Sequence, residues 1–269
     1  MKSSGNFSSL DALQYYITPP HDCSYLEKRS ARMVFLDPAQ RISTVTLSEL
    51  SRLGFRRSGD FIYRPECHSC RQCLSARVPV AEFKMNSSQK KSWRRNQDLH
   101  IKITSIENVQ PYHYELYEKY IRLRHSDGDM YPPSMEQFEK FLLQSCTDSF
   151  FLELWKDDRL MSVATCDRFD DGLSAVYTFF DPEEDKRSLG VYSILQQIEL
   201  SKHWGLSYLY LGYWVPHSAK MRYKSQYTPF EVLLDGQWHP LKHTLAQDEM
   251  QRLGDSLLTA LPNTFNQNL

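Results

Sequence analysis

Residues 150–180 read FFLELWKDDRLMSVATCDRFDDGLSAVYTFF, and the parsing of this stretch decides the fold. Three strand-like runs stand out, FFLELWK, RLMSVATCDRF and LSAVYTFF, rich in aliphatic, β-branched and aromatic residues. Asp157-Asp158 and Asp170-Asp171-Gly172 separate them as turn signals, so the stretch predicts an antiparallel meander. Upstream, PYHYELYEKYIRLRHS (111–126) carries Tyr114, Tyr117, Tyr120 or Ile121, and Leu123 at helical spacing. PPSMEQFEKFLLQSC (132–146) opens with prolines, offers Ser134 as a cap, and puts Phe138, Phe141 and Leu142 on one helix face. Downstream come DPEEDKRSLG, an amphipathic helix VYSILQQIELSKHW ended by Gly205, a strand YLYLGYWV and a short helix SAKMRYKSQY. A hairpin, FEVLLDGQWHPL, follows, turning at Asp235-Gly236.

Helices, a meander, a loop opening a helix and a further strand form the order of an α+β domain of acetyltransferase (GNAT) type, a mixed sheet flanked by helices. In that arrangement the loop Lys186–Gly190, at a helix N-terminus, would hold the anionic part of a donor.

The first third has a different texture. ARMVFL and DFIYR read as strands, and TLSELSRLGF as a short helix with Thr46 or Ser48 as cap and Gly54 near its end. This predicts a small cysteine-containing domain over residues 1–105 and an acyl-transfer domain over 106–269. The polar segment FKMNSSQKKSWRRNQDLHIKI joins them. It is either a solvated linker or a cationic row with an interleaved aromatic, as a nucleic-acid backbone site requires. The formal net charge of −1 leaves room only for such local patches, of which Lys220, Arg222 and Lys224 form a second.

YRPECHSCRQC (63–73) holds Cys67, Cys70 and Cys73. Zinc or an iron–sulfur cluster would need a fourth ligand, for which Cys23, His21 and His68 are candidates. The alternative is thiols packed about a tight loop. Cys146 and Cys166 read as small buried apolar residues. His21, His113, His125, His203, His217 and His239 form no ligand pattern. No G-x-G-x-x-G or P-loop occurs, so nucleotide-cofactor readings have no support. No apolar run is long enough to cross a bilayer and no signal-like segment opens the chain, so a cytoplasmic protein without membrane or DNA partners is expected.

Taken together, CSYL (23–26), GFRRSGDFIYRPECHSCRQCLSARVPV, FKMNSSQKKSWRRNQDL, SAVYTFFDP, SLGVYSILQQIE, YLYLGYWV and KMRYK resemble the aminoacyl-tRNA–protein transferases of the arginyltransferase superfamily. The nearer resemblance is to the bacterial aspartate/glutamate leucyltransferases, and it runs from about Cys23 to about Trp238. It implies transfer of leucine from leucyl-tRNA to the α-amino group of proteins beginning with Asp or Glu, marking them for degradation. Arginyl-tRNA as donor is the alternative within the class. An acyl-CoA-dependent acetyltransferase and a zinc-stabilised tRNA-binding module are the alternatives outside it. Eukaryotic relatives, in which a metal or iron–sulfur cluster has been discussed, carry C-x-x-C and then an adjacent cysteine pair. This chain has CSYL and C-x2-C-x2-C, so that cofactor is not carried over and none is expected to be required.

On this reading Arg77, Arg94 and Arg95 pair with the acidic first side chain or with terminal phosphates. Lys90, Lys91, Lys220, Arg222 and Lys224 contact the tRNA. Tyr177 and Asp181 order the reacting amine or the ribose hydroxyl, and the loop Pro65–Cys73 lies beside the acidic-residue pocket. Metal ligation by Cys23, Cys67, Cys70 and Cys73 is the disfavoured option.

Overall fold

Residues 149–180 fold into the expected meander, which lies within an eight-stranded mixed sheet. The computed structural model describes residues 10–145, 147–241 and 247–259; Cys146 lies outside them. In chain order the elements begin with β1 (Tyr15–Ile17), β2 (His21–Asp22), β3 (Ser30–Ala31), β4 (Met33–Leu36), α1 (Thr44–Arg52), β5 (Arg56–Ser58), β6 (Phe61–Pro65) and β7 (Leu74–Pro79). Then follow α2 (Ser87–Arg95), β8 (His100–Ser105), α3 (Pro111–Arg124), α4 (Met135–Phe138, continued by a π-helical turn at Glu139–Leu143), β9 (Ser149–Lys156), β10 (Arg159–Arg168) and β11 (Gly172–Phe180). α5 (Leu189–His203), β12 (Tyr208–Trp214), a 3-10 segment (Ala219–Gln226), β13 (Phe230–Leu234), β14 (Gln237–Leu241) and α6 (Gln247–Thr259) complete the order.

The large sheet runs β14-β13-β7-β12-β11-β10-β9-β8, and a small sheet runs β1-β4-β6-β5. Hydrogen bonding therefore continues across residue 105. β7 and β8, both from the first 105 residues, are strands of the large sheet, so the predicted boundary passes through one layer. Among the described residues only β11 and β12 pair in parallel.

Alternating side chains send Leu74, Ala76, Val78, Leu209 and Leu211 to one face, where α5 packs through Tyr192, Leu195 and Ile198. The opposite face has two covers side by side. α3 and α4 lay Tyr117, Ile121 and Phe138 on Phe151, Val163 and Phe179. α1 and the small sheet lay Leu47, Leu50 and Ile62 near Phe169 and Tyr210.

Local details sharpen several expectations. Ser43 caps α1, accepting from Thr46 N, so neither Thr46 nor Ser48 is the cap. Ser134 does cap α4. In α3 the buried stripe is His113, Leu116, Tyr117 and Ile121, and Leu123 is exposed, because Phe151 and Phe179 meet the helix one position round. His113 Nε2 sits 3.1 Å from Glu153 in the core. The 84–98 segment is not a linker. Asn86 and Gln89 form a capping box for α2. Trp93 packs on Tyr192, and Asn96 Nδ2 donates to Arg187 O at 2.8 Å. Asp98 accepts both Arg187 terminal nitrogens at 2.8 Å, docking α2 on the start of α5.

Candidate active site

The β11–β12 register ends at Ser174 opposite Tyr210, yet β11 continues to Phe180 and β12 to Trp214. Each strand carries a bulge nearby, at Thr165/Cys166 in the β10–β11 ladder and at Tyr210/Gly212 in the β12–β7 ladder. Bulges add twist and end pairing, so the sheet opens in its middle. Gly212 supplies the bulge at φ +74°, a left-handed conformation that side chains resist. Backbone left unpaired here needs other partners. Lys224, on the 3-10 segment, provides one: its Nζ donates to Tyr213 O at 2.6 Å. Burial, and secondarily the charge of Arg56, lower the Lys224 pKa to about 8.

Arg56 and Arg57 are adjacent in β5, so their side chains point to opposite faces. Arg57 donates Nε and Nη2 to the two carboxylate oxygens of Asp167, both at 2.6 Å, and this ion pair is 2% and 1% exposed. Arg56 is 6% exposed and its Nη1 is held by Ser51 O and Phe55 O. Its Nε and Nη2 have no hydrogen-bond partner among the described residues. The rings of Tyr210 and Tyr213 lie 5.4 and 5.8 Å from its guanidinium carbon. Burial depresses its pKa, partly offset by the tyrosines, and Arg77 and Lys224 add like charge.

Arg77 is on β7 in the same region, but its guanidinium is taken. Nε donates to Glu231 at 2.7 Å, and the group lies 3.6 Å from the Tyr208 ring centroid and 4.1 Å from that of Trp238. Asp181 is likewise committed. It accepts from Arg159 and from Glu183 N, and Lys119 Nζ is 2.9 Å away, so its pKa lies below the usual carboxylate range despite burial. Tyr177 belongs to an aromatic cluster with Tyr120, Phe141 and Phe179, where burial raises its pKa. Its hydroxyl has no hydrogen-bond partner among the described residues.

The cationic groups are drawn together from distant sequence. Gln89 Nε2 donates to Gln226 O at 3.2 Å, so α2 abuts the 3-10 segment. Lys84, Lys90, Lys91, Arg94 and Arg95 are exposed and make no ion pair among the described residues. Arg222 is exposed in the same way, and Lys220 reaches Asp127 only at 3.7 Å. Arg187, in the loop expected to hold a donor's anionic part, is instead tied to Asp98 and Glu184.

The four thiols Cys23, Cys67, Cys70 and Cys73 do stand near one another. Burial raises the pKa of Cys67 and Cys73, and the neighbouring thiols raise both further. A buried, protonated thiol is a poor nucleophile. No three His, Cys, Asp or Glu side chains among the described residues are arranged to hold a metal ion. Cys73 lies beside Tyr63 and Tyr213, the latter stacked near Arg56, so the cysteine loop borders the Arg56 region. A separate cavity of about 1130 Å³ lies in the seam between the two covers, lined by Asp37, Arg41, Asp60, Glu136, Lys140 and Phe141 among others.

Arg56 and Arg57 carried no sequence signal of their own beyond two adjacent charges within a strand. The signal that would have found them is a charged pair at positions where a strand between a helix end and a turn must face two packed layers.

The N- and C-terminal models of the arginine-tRNA-protein transferase family match residues 21–91 and 112–234. The class so defined is the aminoacyl-tRNA–protein transferases. Aspartate/glutamate leucyltransferase of Acinetobacter baumannii (strain ATCC 17978) is 70% identical over 99% of this chain and 98% of its own length. That of Hahella chejuensis is 48% identical over 86% of this chain and 98% of its own. The chain belongs to the aspartate/glutamate leucyltransferase family. A solved structure of L-PGS from Bacillus licheniformis overlaps at TM-score 0.42 and 10% identity, over 70% of this chain and 66% of that one. No helix among the described residues is long and apolar enough to cross a membrane.

Proposed function

We propose that the chain transfers leucine from leucyl-tRNA to the α-amino group of proteins that begin with Asp or Glu. The observation that carries this reading is whole-chain similarity to aspartate/glutamate leucyltransferases at 70% identity. The exposed cations of α2 and the 3-10 segment, two elements joined through Gln89 and Gln226, support it.

The reaction asks little covalent chemistry of the protein. The substrate amine attacks the leucyl ester carbonyl, an amide bond forms, the ester C–O bond breaks, and one amine proton ends on the released ribose oxygen. An α-amine of pKa roughly 7.7–8.0 is partly neutral near pH 7.5. Positioning amine and ester together supplies up to about 7–11 kcal/mol of the barrier reduction.

In this reading Lys90, Lys91, Arg94 and Arg95, with Lys220 and Arg222, track the acceptor end as exposed, hydrated cations. Lys224 braces the Gly212 bulge and adds charge to the opening. Tyr177 borders the reacting groups with a free hydroxyl, whereas Asp181 anchors the loop after β11. Arg77 stiffens the wall between Tyr208 and Trp238. The Pro65–Cys73 loop borders the acidic-residue pocket, and residues 1–105 supply most of that pocket although their strands enter the shared sheet. The protein acts in the cytoplasm, where leucyl-tRNA and unfolded or processed chains meet.

The test is label transfer from purified leucyl-tRNA and arginyl-tRNA to peptides beginning with Asp, Glu or Lys. Leucine should appear on the Asp and Glu peptides. Arginine transfer, or modification of the Lys peptide alone, overturns the reading.

A further inference from the structure

We infer that the Nε–Nη2 edge of Arg56 is the receptor for the side-chain carboxylate of the substrate's first residue, an inference that rests on the function proposed above. A guanidinium presents this edge as two parallel donors matched to the two oxygens of a carboxylate. The same molecule shows the filled form one residue away, where Asp167 takes both donors of Arg57 at 2.6 Å. Arg56 has the same edge, the same strand and the same burial, but no carboxylate arrives. Its Nη1 is pinned by Ser51 O and Phe55 O, which leaves the side-on edge fixed in orientation, buried and without a hydrogen-bond partner among the described residues.

A buried guanidinium without a counterion is unfavourable unless a ligand provides one. The surrounding charges deepen the deficit. Lys224 and Arg77 add positive charge, and the Glu231 carboxylate is already bound by Arg77. Tyr63, Tyr210 and Tyr213 wall the group with aromatic surface, a lining that suits a small planar anion on a short aliphatic stem. Tyr63 and Lys224, which border the group, and Cys73, beside Tyr63, are all partly exposed.

A phosphate of the tRNA shares the anionic chemistry. The structure favours the carboxylate because a phosphodiester sits on a chain that must stay hydrated, and exposed cations for it are already present on α2. A first residue with Asn or Gln would leave one donor of the edge unmatched, so the site rejects amides as well as apolar residues.

The experiment uses the full chain with leucyl-tRNA and compares wild type, Arg56→Met and Arg56→Lys. Peptides begin with Asp, Glu, Asn or Gln, and thermal unfolding is followed in parallel. Arg56→Met should lower kcat/KM for the Asp and Glu peptides by at least about 100-fold and erase their advantage over Asn and Gln. Its KM for leucyl-tRNA should stay within about twofold and its Tm within a few degrees, since an unpaired buried charge has been replaced by an apolar chain. Arg56→Lys should keep the preference for acids in weakened form. A rise in the KM for leucyl-tRNA with peptide discrimination intact assigns the edge to a phosphate and overturns the inference. An equal loss on all peptides with a collapsed Tm in both variants makes Arg56 structural and also overturns it. A folded Arg56→Met that still prefers Asp and Glu removes the residue from recognition while leaving the proposed function standing. A wild-type chain that transfers no leucine overturns both.

Discussion

Replacing Asp167 with Ala tests how the small sheet is fastened to the large one. Asp167 accepts three hydrogen bonds in a site without water access: two from Arg57 at 2.6 Å and one from Ser149 Oγ at 2.5 Å. At about 1.5 kcal/mol for each bond to a charged group, the carboxylate accounts for roughly 4–5 kcal/mol. The same figure follows from the cost of stranding a buried guanidinium, about 3–5 kcal/mol. Arg57 would keep weaker bonds, among them those to Gln144 O, Gly59 O and Ser149 Oγ. Against a total stability of about 5–15 kcal/mol this is a severe loss, and it should lower Tm by roughly 6–20 °C.

The assay is urea unfolding by tryptophan fluorescence on Asp167→Ala, Arg57→Met and the double variant. Each single change should cost several kcal/mol, and the double should cost much less than their sum, because no charge is left unpaired. Leucine transfer should fall with loosening of β5, since Arg56 is placed by the same strand. Single variants costing under about 1 kcal/mol, or costs that simply add, would refute the reasoning.

Changing Lys90, Lys91, Arg94 and Arg95 together to Gln should raise the KM for leucyl-tRNA at least about tenfold at physiological salt and reduce the log–log salt slope by roughly 3. Tm should hardly move, because these side chains are exposed and make no ion pair among the described residues, and an unchanged salt slope would exclude α2 from tRNA contact. Lys224 has a native pKa of about 8 against an ordinary 10.5, lowered by burial and then by Arg56. Its native value lies below its unfolded one, so the fold bears the cost of the buried ammonium below pH 8, about 3 kcal/mol, and regains it as pH rises to 10.5. Lys224→Met should flatten that rise in urea midpoints between pH 8 and 10.5, and a slope equal to wild type would show that the amine is not buried.

The elements of the C-terminal half were legible because each is written locally. The meander strands, the Asp235-Gly236 turn and the Ser134 cap follow from alternation, turn residues and capping within a few positions. The family, too, was legible from the order of its short motifs. α2 was not, because its mean polarity resembles a linker; only docking through Asn96, Trp93 and Asp98 to α5 makes it a fixed helix. The sharing of one sheet by strands from both sides of residue 105 was not legible either. Strand pairing is non-local, and β7 finds β12 and β13 at least 129 residues later.

The candidate site divides along the same line. Local sequence determined that cations cluster at 84–95 and 220–224, and that a cysteine loop follows a run of arginines. It offered no means of telling Arg56 from Arg57 or Arg77, since all three are arginines at strand positions. Tertiary structure separates them by what reaches each one: Asp167 arrives at Arg57 from 110 residues away, and Glu231 at Arg77 from 154. Nothing in the described chain arrives at the free edge of Arg56. A charge acquires its role from the partner that burial brings or withholds, and that pairing exists only once distant strands have paired and packed.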